Sequence, residues 1–331
     1  MMRFGMVGCG RIGIVHARSL SNTADAQLRA VADASPQAAQ ALATQYGAEI
    51  RSVEDTLTGS DIDAVIIATP TTLHYDQIHL AAAAGKPIFC EKPIDLSSER
   101  AAACAQAVAE AGVPFLTGFN RRFDPDFALV EARLQAGAIG NVELVIITSR
   151  DPAPPPISYI ESSGGLFRDM MIHDFDMARF LLAEEPVEVF AAGSCLVDPA
   201  IGQAGDVDTA AVTLRTASGK ICQINNSRRA SYGYDQRIEI HGSDGLLRAE
   251  NHRENLVEQA GESGFERAPN RHFFLERYEA AFLNEMNAFV EAVRSGTPPS
   301  PSIEDGVAAQ RLADSAAASL KSGKPVSLDL G

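Results

Sequence analysis

Apolar runs alternate with Ala-rich amphipathic stretches over the first 120 residues. The apolar runs predict strands, at residues 3–7, 27–32, 64–68, 87–90 and 114–117. The amphipathic stretches predict helices, at residues 12–20, 35–46, 73–84 and 97–111. Because strands that alternate with helices pair in parallel and are covered on both faces, the pattern predicts a doubly wound α/β domain over residues 1–120.

After about residue 120 the pattern changes to long helices and alternating apolar and polar positions. Predicted helices cover residues 126–136, 166–182, 273–294 and 303–320. Predicted strands cover residues 142–148, 187–197, 209–216, 220–227, 237–241, 245–250 and 256–260. Because Ser-Gly and Asp-Gly turns separate several of these strands, residues 121–331 are predicted to form an α+β domain with a large, mostly antiparallel, open sheet.

A glycine pattern follows the first predicted strand. Gly8, Gly10 and Gly13 are spaced G-x-G-x-x-G and lead into the first predicted helix, and Asp33 ends the second strand. Gly8 permits a tight turn, Gly10 lets the backbone approach a pyrophosphate, and Gly13 lets helix and strand pack closely. Asp33 is suited to the ribose hydroxyls, and because no Arg follows it, the sequence predicts a Rossmann domain that binds NAD rather than NADP.

Charge and cysteine content narrow the classes of partner. The 331 residues hold 28 Lys and Arg against 43 Asp and Glu, a net charge of −15. Without a basic stripe or a long apolar run, neither nucleic acid nor membrane is an expected partner. The five scattered cysteines argue against a disulfide framework and a zinc site, and an N-terminus that leads directly into a strand predicts no signal peptide and a cytoplasmic protein. Arg228 and Arg229, at a strand end, are interpreted as a solvated edge or an interface contact.

Two groups of residues are candidates for catalysis. Lys92 follows the strand at residues 87–90, at the end of a parallel strand where open α/β sheets bind ligands. On a continuous helix, Asp169, His173 and Asp176 share one face, which would suit a base tuned near neutral pH. The same residues also fit a surface lysine, a capping Asp and a structural His. Because no Glu or Cys cluster completes the Asp and His pair, no metal site is expected.

The chain resembles the glucose–fructose oxidoreductase/inositol dehydrogenase (Gfo/Idh/MocA) family over essentially its whole length. The resemblance rests on the glycine turn, Glu91-Lys92-Pro93, the segment 118–123, and Asp169 with His173. Segments 149–152, 165–180 and 232–235 resemble those of inositol 2-dehydrogenases. The resemblance therefore implies a Rossmann domain at residues 1–120, and a domain for substrate binding and oligomerisation at residues 121–331.

The resemblance also implies roles for individual residues. The implied catalytic residues are Lys92, Asp169 and His173. The residues implied to line a polyol pocket are Arg122, Asp151, Asp176 and Tyr234. The residues implied to bind NAD are Gly8, Gly10, Arg11, Ile12, Asp33, Thr69, Pro70, His74, Glu91 and Lys92.

The implied reaction is NAD-dependent oxidation of a cyclic polyol, namely myo-inositol to 2-keto-myo-inositol (an inosose), by a homotetramer. One alternative is a dehydrogenase, dependent on NAD or NADP, that acts on another inositol isomer or on an aldose. Another alternative is a non-catalytic regulator that senses the dinucleotide. Such a regulator is expected to have lost Lys92 or His173, and the sequence contains both.

Overall fold

The computed structural model describes residues 1–328 and divides into two compact units. The first unit consists of Met1–Phe123 and Ala280–Gln310. The second unit consists of Asp124–Glu279 and, among the described residues, 311–328. The chain thus leaves the first unit after residue 123 and contributes to it again near its end.

The first unit contains a parallel sheet of six strands. They are β1 (Met2–Val7), β2 (Ala26–Ala32), β3 (Glu49–Ile50), β4 (Ala64–Ile67), β5 (Ile88–Glu91) and β6 (Phe115–Gly118). The spatial order is β3-β2-β1-β4-β5-β6, and every neighbouring pair is parallel. The order reverses between β1 and β4, which is the switch point where open α/β sheets bind ligands. The predicted Rossmann fold is confirmed.

Helices cover both faces of this sheet. They are α1 (Arg11–Ser21), α2 (Pro36–Tyr46), α3 (Val53–Thr58), α4 (His74–Ala83) and α5 (Ser98–Ala111). Ser35 caps the start of α2 and Ser97 the start of α5, each by accepting a backbone N–H bond. Short 3₁₀ turns at Thr71–Leu73 and Asn120–Phe123 follow β4 and β6.

A late segment of the chain completes the core of the first unit. Helix α12 (Glu279–Ser295) buries Met286 and Phe289 in the same hydrophobic cluster as Phe4 and Phe89 of the sheet. The functional division of the chain at residue 120, into an NAD-binding and a substrate-binding domain, stays a prediction. The structural units differ from this division in one respect. Because the apolar face of α12 is buried in the first unit, residues 280–310 belong to that unit.

The second unit has a sheet of seven strands and a separate hairpin. Its strands are β7 (Val142–Arg150), β8 (Pro186–Ser194), β9 (Thr209–Thr216), β10 (Ile221–Ser227), β11 (Asp235–Gly242), β12 (Gly245–Ala249), β13 (Glu258–Gly261), β14 (Gly264–Arg267) and β15 (Val326–Ser327). The sheet order is β12-β11-β7-β10-β9-β8-β15. Only β7 and β10 are parallel neighbours within the described sheet, which confirms the predicted mostly antiparallel α+β fold. The strand predicted at residues 256–260 is not part of this sheet, because β13 pairs with β14.

The remaining helices lie largely in the second unit. They are α6 (Pro125–Gln135), α7 (Ile157–Ser163), α8 (Gly165–Asp169), α9 (Ile172–Leu182), α10 (Pro199–Gln203), α11 (Phe274–Arg277) and α13 (Ile303–Ser322), of which α13 begins in the first unit. None of the helices within residues 1–328 is long and apolar enough to cross a membrane. In the same part of the chain, no three His, Cys, Asp or Glu side chains gather as a group that could hold a metal ion.

The single helix predicted at residues 166–182 is wrong, because the chain forms α8 and α9 with a break between them. The N–H groups of Met170 and Met171 both donate to Leu166 O, and the second of these bonds spans five residues instead of four. This extra residue interrupts the helical ladder. Asp169 ends α8 while His173 lies at the start of α9, so the two residues are not one turn apart on a common helix.

Candidate active site

The β1–α1 turn has the geometry that each of its glycines predicts. Gly8 has a φ of +94°, and a Cβ at this position would lie 2.4 Å from Ala68 O. A Cβ on Gly13 would lie 2.0 Å from Gly8 O, so only glycine permits α1 to approach β1 this closely. A Cβ on Gly10 would meet no atom of the described chain within 4 Å, which leaves the space that an approaching pyrophosphate needs.

The start of α1 is open to an anion. Its N-cap residue is Gly10, no side chain caps it, and its first turn contains no acidic residue. The first N–H groups and the helix dipole therefore favour a phosphate at this point. Arg11 is exposed and Ile12 is half-buried in the same turn.

Asp33, at the end of β2, is held by the backbone around it. Its Oδ2 accepts from Cys9 N at 2.6 Å and its Oδ1 accepts from Ser35 N at 2.7 Å. These bonds join the carboxylate to the glycine turn on one side and to the start of α2 on the other. A carboxylate at this position suits the ribose hydroxyls of NAD, and its negative charge opposes the 2′-phosphate of NADP.

The loop after β4 is tied to the loop after β5 by His74. The ring is buried, with Nε2 at 2.9 Å from Thr69 O and Nδ1 at 2.9 Å from Pro93 O. Burial lowers the pKa of His74, although the two carbonyls act in the opposite direction. A neutral ring has one N–H and so donates to one of the two carbonyls. Pro70, which is exposed, lies in the same loop.

Lys92 directly follows β5, where Glu91 is fixed by a histidine from α1. The buried His16 places Nε2 at 2.6 Å from Glu91 Oε1, and its ring makes an edge contact with Phe89 at 4.7 Å between centroids. In a neutral ring bonded to a carboxylate, Nε2 carries the proton. Lys92 itself is half-buried. The carboxyl end of β5 thus presents Glu91 and Lys92 from a rigid strand.

Arg122 is in the first unit, in the 3₁₀ turn after β6. Its Nη2 donates to Asp305 Oδ1, in the first turn of α13, at 3.1 Å. This ion pair is largely buried, since about a tenth of the Arg122 side chain is exposed. The pair joins α13 to the loop after β6 within the first unit.

The second unit gathers other predicted site residues at one end of its sheet. Asp151 directly follows β7, and its N–H donates to Ser227 O at 2.9 Å. Tyr234 directly precedes β11, whose first residue pairs with Arg150, the last residue of β7. The Tyr234 ring is buried, with an edge contact to Tyr278 at 6.2 Å between centroids. The register therefore places Asp151 and Tyr234 at the same end of adjacent strands.

Helix α9, which contains His173 and Asp176, is attached to this sheet by a buried carboxylate. Asp174 Oδ1 accepts from Ser149 Oγ at 2.5 Å, and Oδ2 accepts from Asn226 Nδ2 at 2.8 Å. Ser149 is in β7 and Asn226 is in β10, so Asp174 fixes the helix on the two central strands. His173 is half-buried next to this anchor, and Asp176 is fully buried.

Asp169, at the end of α8, is held by two side chains. Its Oδ1 accepts from Tyr159 Oη at 2.9 Å, and its Oδ2 lies 3.6 Å from Arg228 Nη1. The sequence pattern predicts that Arg228 is a solvated edge residue or an interface contact. The first of these is wrong, because Arg228 is buried while Arg229 is exposed.

Sequence reasoning missed His16, Asp174 and Arg228. A polar residue on the buried face of α1 was a signal for His16. Nothing in the local pattern distinguishes Asp174 from its neighbours Asp169 and Asp176 as the residue bonded to the sheet. Likewise, two adjacent arginines at a strand end give no local sign that one of them is buried.

Comparisons with known proteins identify the family. Residues 2–119 match the model of an oxidoreductase family with an NAD-binding Rossmann fold, and residues 127–248 match a GFO/IDH/MocA C-terminal domain. The chain is 54% identical to an inositol 2-dehydrogenase of Rhizobium meliloti and 44% identical to a myo-inositol 2-dehydrogenase of Thermotoga maritima, over 99% of each chain in both cases. It is also similar, with a TM-score of 0.92 and 32% identity over 99% of both chains, to scyllo-inositol dehydrogenase from Lactobacillus casei, solved with NAD(H) and scyllo-inositol bound. The chain belongs to the Gfo/Idh/MocA family of oxidoreductases, and its first unit is the NAD-binding Rossmann fold of that family.

Proposed function

We propose that this protein oxidises myo-inositol to 2-keto-myo-inositol with NAD as the hydride acceptor. The observation that carries the proposal is the 54% identity over 99% of both chains to a protein named inositol 2-dehydrogenase. The open start of α1, the free space at Gly10 and the Asp33 carboxylate fit NAD. NAD, when bound, accepts the hydride from the carbon that bears the reacting hydroxyl.

The residues of the chain must then remove the hydroxyl proton. We assign that role to His173, because a neutral imidazole accepts a proton near neutral pH. Asp174, the neighbouring residue, is bonded to β7 and β10, so the backbone that carries His173 is held in place. A base on a fixed helix needs little reorganisation during the reaction.

Lys92 and Asp169 are assigned to the charges that develop on the substrate. The Lys92 ammonium donates to the oxygen that becomes an alkoxide and stabilises its negative charge. Asp169 accepts a hydrogen bond from a substrate hydroxyl. The position of Lys92 directly after β5 supports this assignment, since the strand and the bonded Glu91 hold the backbone next to Lys92 in place.

The other hydroxyls of the polyol need donors and acceptors, because such a molecule has little apolar surface. We assign them to Arg122, Asp151, Asp176 and Tyr234. Asp151 and Tyr234 lie at the same end of the second unit's sheet, which supports their assignment to one ligand.

A substrate panel tests the proposed function. The purified protein is supplied with NAD or NADP and with myo-inositol, scyllo-inositol, other inositol isomers and several aldoses, and the formation of reduced cofactor is followed by absorbance. We expect NAD with myo-inositol to give the highest kcat/KM, by about tenfold over the aldoses. A higher value for scyllo-inositol would change the assigned isomer, which matters because a solved relative binds that compound.

The same panel separates an enzyme from a regulator that senses the dinucleotide. A regulator would bind NAD with micromolar affinity, as measured by calorimetry. It would not reduce NAD with any compound of the panel. That result would contradict the proposed reaction and leave the NAD site intact.

We further propose a cytoplasmic homotetramer. The second unit exposes large apolar residues on and beside the β13–β14 hairpin, with Leu256 90%, Val257 73% and Phe265 72% exposed, and such surfaces favour subunit contacts. All five cysteines are free thiols, which suits a reducing compartment. Light scattering measures the subunit number in solution.

A further inference from the structure

Arg228 is a buried charge at the end of the second unit's sheet. It directly follows β10, and only 1% of its surface is exposed. Its backbone N–H donates to Asp208 O at 2.8 Å, which fixes its place beside β9. A buried guanidinium is costly unless charged partners compensate it, so the position needs a physical explanation.

Two carboxylates face Arg228, one at each end of helix α8. Its Nη1 lies 3.6 Å from Asp169 Oδ2, and its Nη2 lies 3.7 Å from Asp206 Oδ2. Asp169 is the last residue of α8. Asp206 holds the start of the same helix, because both of its oxygens accept from Leu166 N, at 3.1 and 3.0 Å.

The start of α8 fits closely against Asp206. Gly165 has a φ of +81°, and a Cβ there would lie 2.7 Å from Asp206 Oδ1. The short helix is thus fixed at its first turn by Asp206, and the guanidinium of Arg228 links that anchor to Asp169 at the other end.

The hydrogen bonding of Arg228 is incomplete for a residue with a purely structural role. Within residues 1–328, its Nε and Nη2 atoms are buried and make no hydrogen bond. A buried ion group of this kind often stabilises a fold less than apolar side chains of similar volume. The cost is explained if the charge serves the active site.

We propose that Arg228 is a positioning residue of the active site, which holds the Asp169 carboxylate directed toward the substrate by bridging it to Asp206. This inference rests on the proposed function, because Asp169 is assigned there to the substrate. Arg228 acts through Asp169 and is not assigned a contact with substrate or NAD.

A double-mutant cycle tests the proposal. Arg228→Met, Asp169→Asn and the double variant are compared by kcat/KM for myo-inositol and by the Kd for NAD. We expect each single change to lower kcat/KM by about 10²-fold, because Arg228→Met displaces the carboxylate and Asp169→Asn removes it. The double variant should fall by about 10²-fold as well, whereas independent roles would multiply to about 10⁴-fold. The Kd for NAD should change less than about threefold, because the dinucleotide motif lies in the first unit.

Matched variants keep the test decisive. Arg229→Met changes the exposed neighbour and should retain wild-type kcat/KM, while Arg228→Lys should recover about tenfold over Arg228→Met. If Arg228→Met does not fold, the cycle is run with Arg228→Lys. Multiplicative losses, or wild-type kcat/KM in a folded Arg228→Met variant, would overturn the role of Arg228 alone. A wild-type protein that oxidises no polyol would overturn the proposed function and this role with it.

Discussion

The NAD-binding turn of the first unit and the polar end of the sheet in the second unit are built in different ways. The turn uses backbone: Gly8 provides a positive φ, and Gly13 provides a close approach of helix and strand. The sheet end uses side chains from distant parts of the sequence, such as Asn226 and Asp174, which are 52 residues apart. A site built from the backbone of one turn leaves a contiguous pattern in the sequence. A site built from side chains of distant residues leaves no such pattern.

The largest expected effect tests whether the first unit contributes chemistry as well as cofactor binding. Lys92→Ala should lower kcat by about 10²-fold or more, because it removes the ammonium assigned to the alkoxide. The Kd for NAD, measured by calorimetry, should change less than about threefold. Lys321→Ala, at an exposed lysine near the end of α13, is the control and should behave as wild type.

A kcat for Lys92→Ala within about threefold of wild type would remove this residue from the reaction. The first unit would then be a cofactor-binding module only, and the chemical groups would all have to come from the second unit. The two regions would then differ in function as well as in construction.

The glycine turn gives two effects that separate the packing of the turn from the approach of a ligand. Gly13→Ala should destabilise the protein by about 3 kcal/mol, because its Cβ would lie 2.0 Å from Gly8 O and α1 would have to move. Gly10→Ala should leave stability within about 0.5 kcal/mol, since its Cβ meets no described atom within 4 Å. It should nevertheless weaken NAD binding by about tenfold, because the new methyl occupies space that the pyrophosphate needs.

Urea unfolding and calorimetric titration with NAD measure these two quantities. A Gly13→Ala variant as stable as wild type would show that the close approach of α1 to β1 is not required. Normal NAD affinity in Gly10→Ala would show that the dinucleotide does not approach the backbone at this residue.

The extent of what the sequence could predict follows from this difference in construction. Five of the six strands of the first sheet, the glycine turn and the position of Lys92 after β5 depend on local periodicity and on strand ends, which are visible in the chain. The sequence pattern does not predict β3, because two residues are too few to show a periodicity. The break between Met170 and Ile172 carries no Gly or Pro signal, because it arises from one bond that spans five residues to Leu166 O. Helix α12 packs in the first unit because Phe289 is buried in the core of that unit. An amphipathic pattern predicts that one face of a helix is buried, but it does not predict which core buries it.

The buried carboxylate of Asp208 tests whether a charged side chain stabilises a loop of the second unit. Asp208 is buried, and burial alone would raise its pKa, but it accepts from the N–H groups of Leu196, Val197 and Asp198, and the pKa is lowered to about 2. The unfolded chain takes up this proton first, near pH 4, so the stabilisation is present above about pH 4 and is lost as the pH falls toward about 2.

Asp208→Asn should therefore be less stable by about 1.5 kcal/mol at pH 6, and the difference from wild type should narrow at pH 3. Urea unfolding at both pH values measures this, with the exposed Asp244→Asn as the control. A constant difference would show that the loop is held by its packing, and that the charge of Asp208 contributes little.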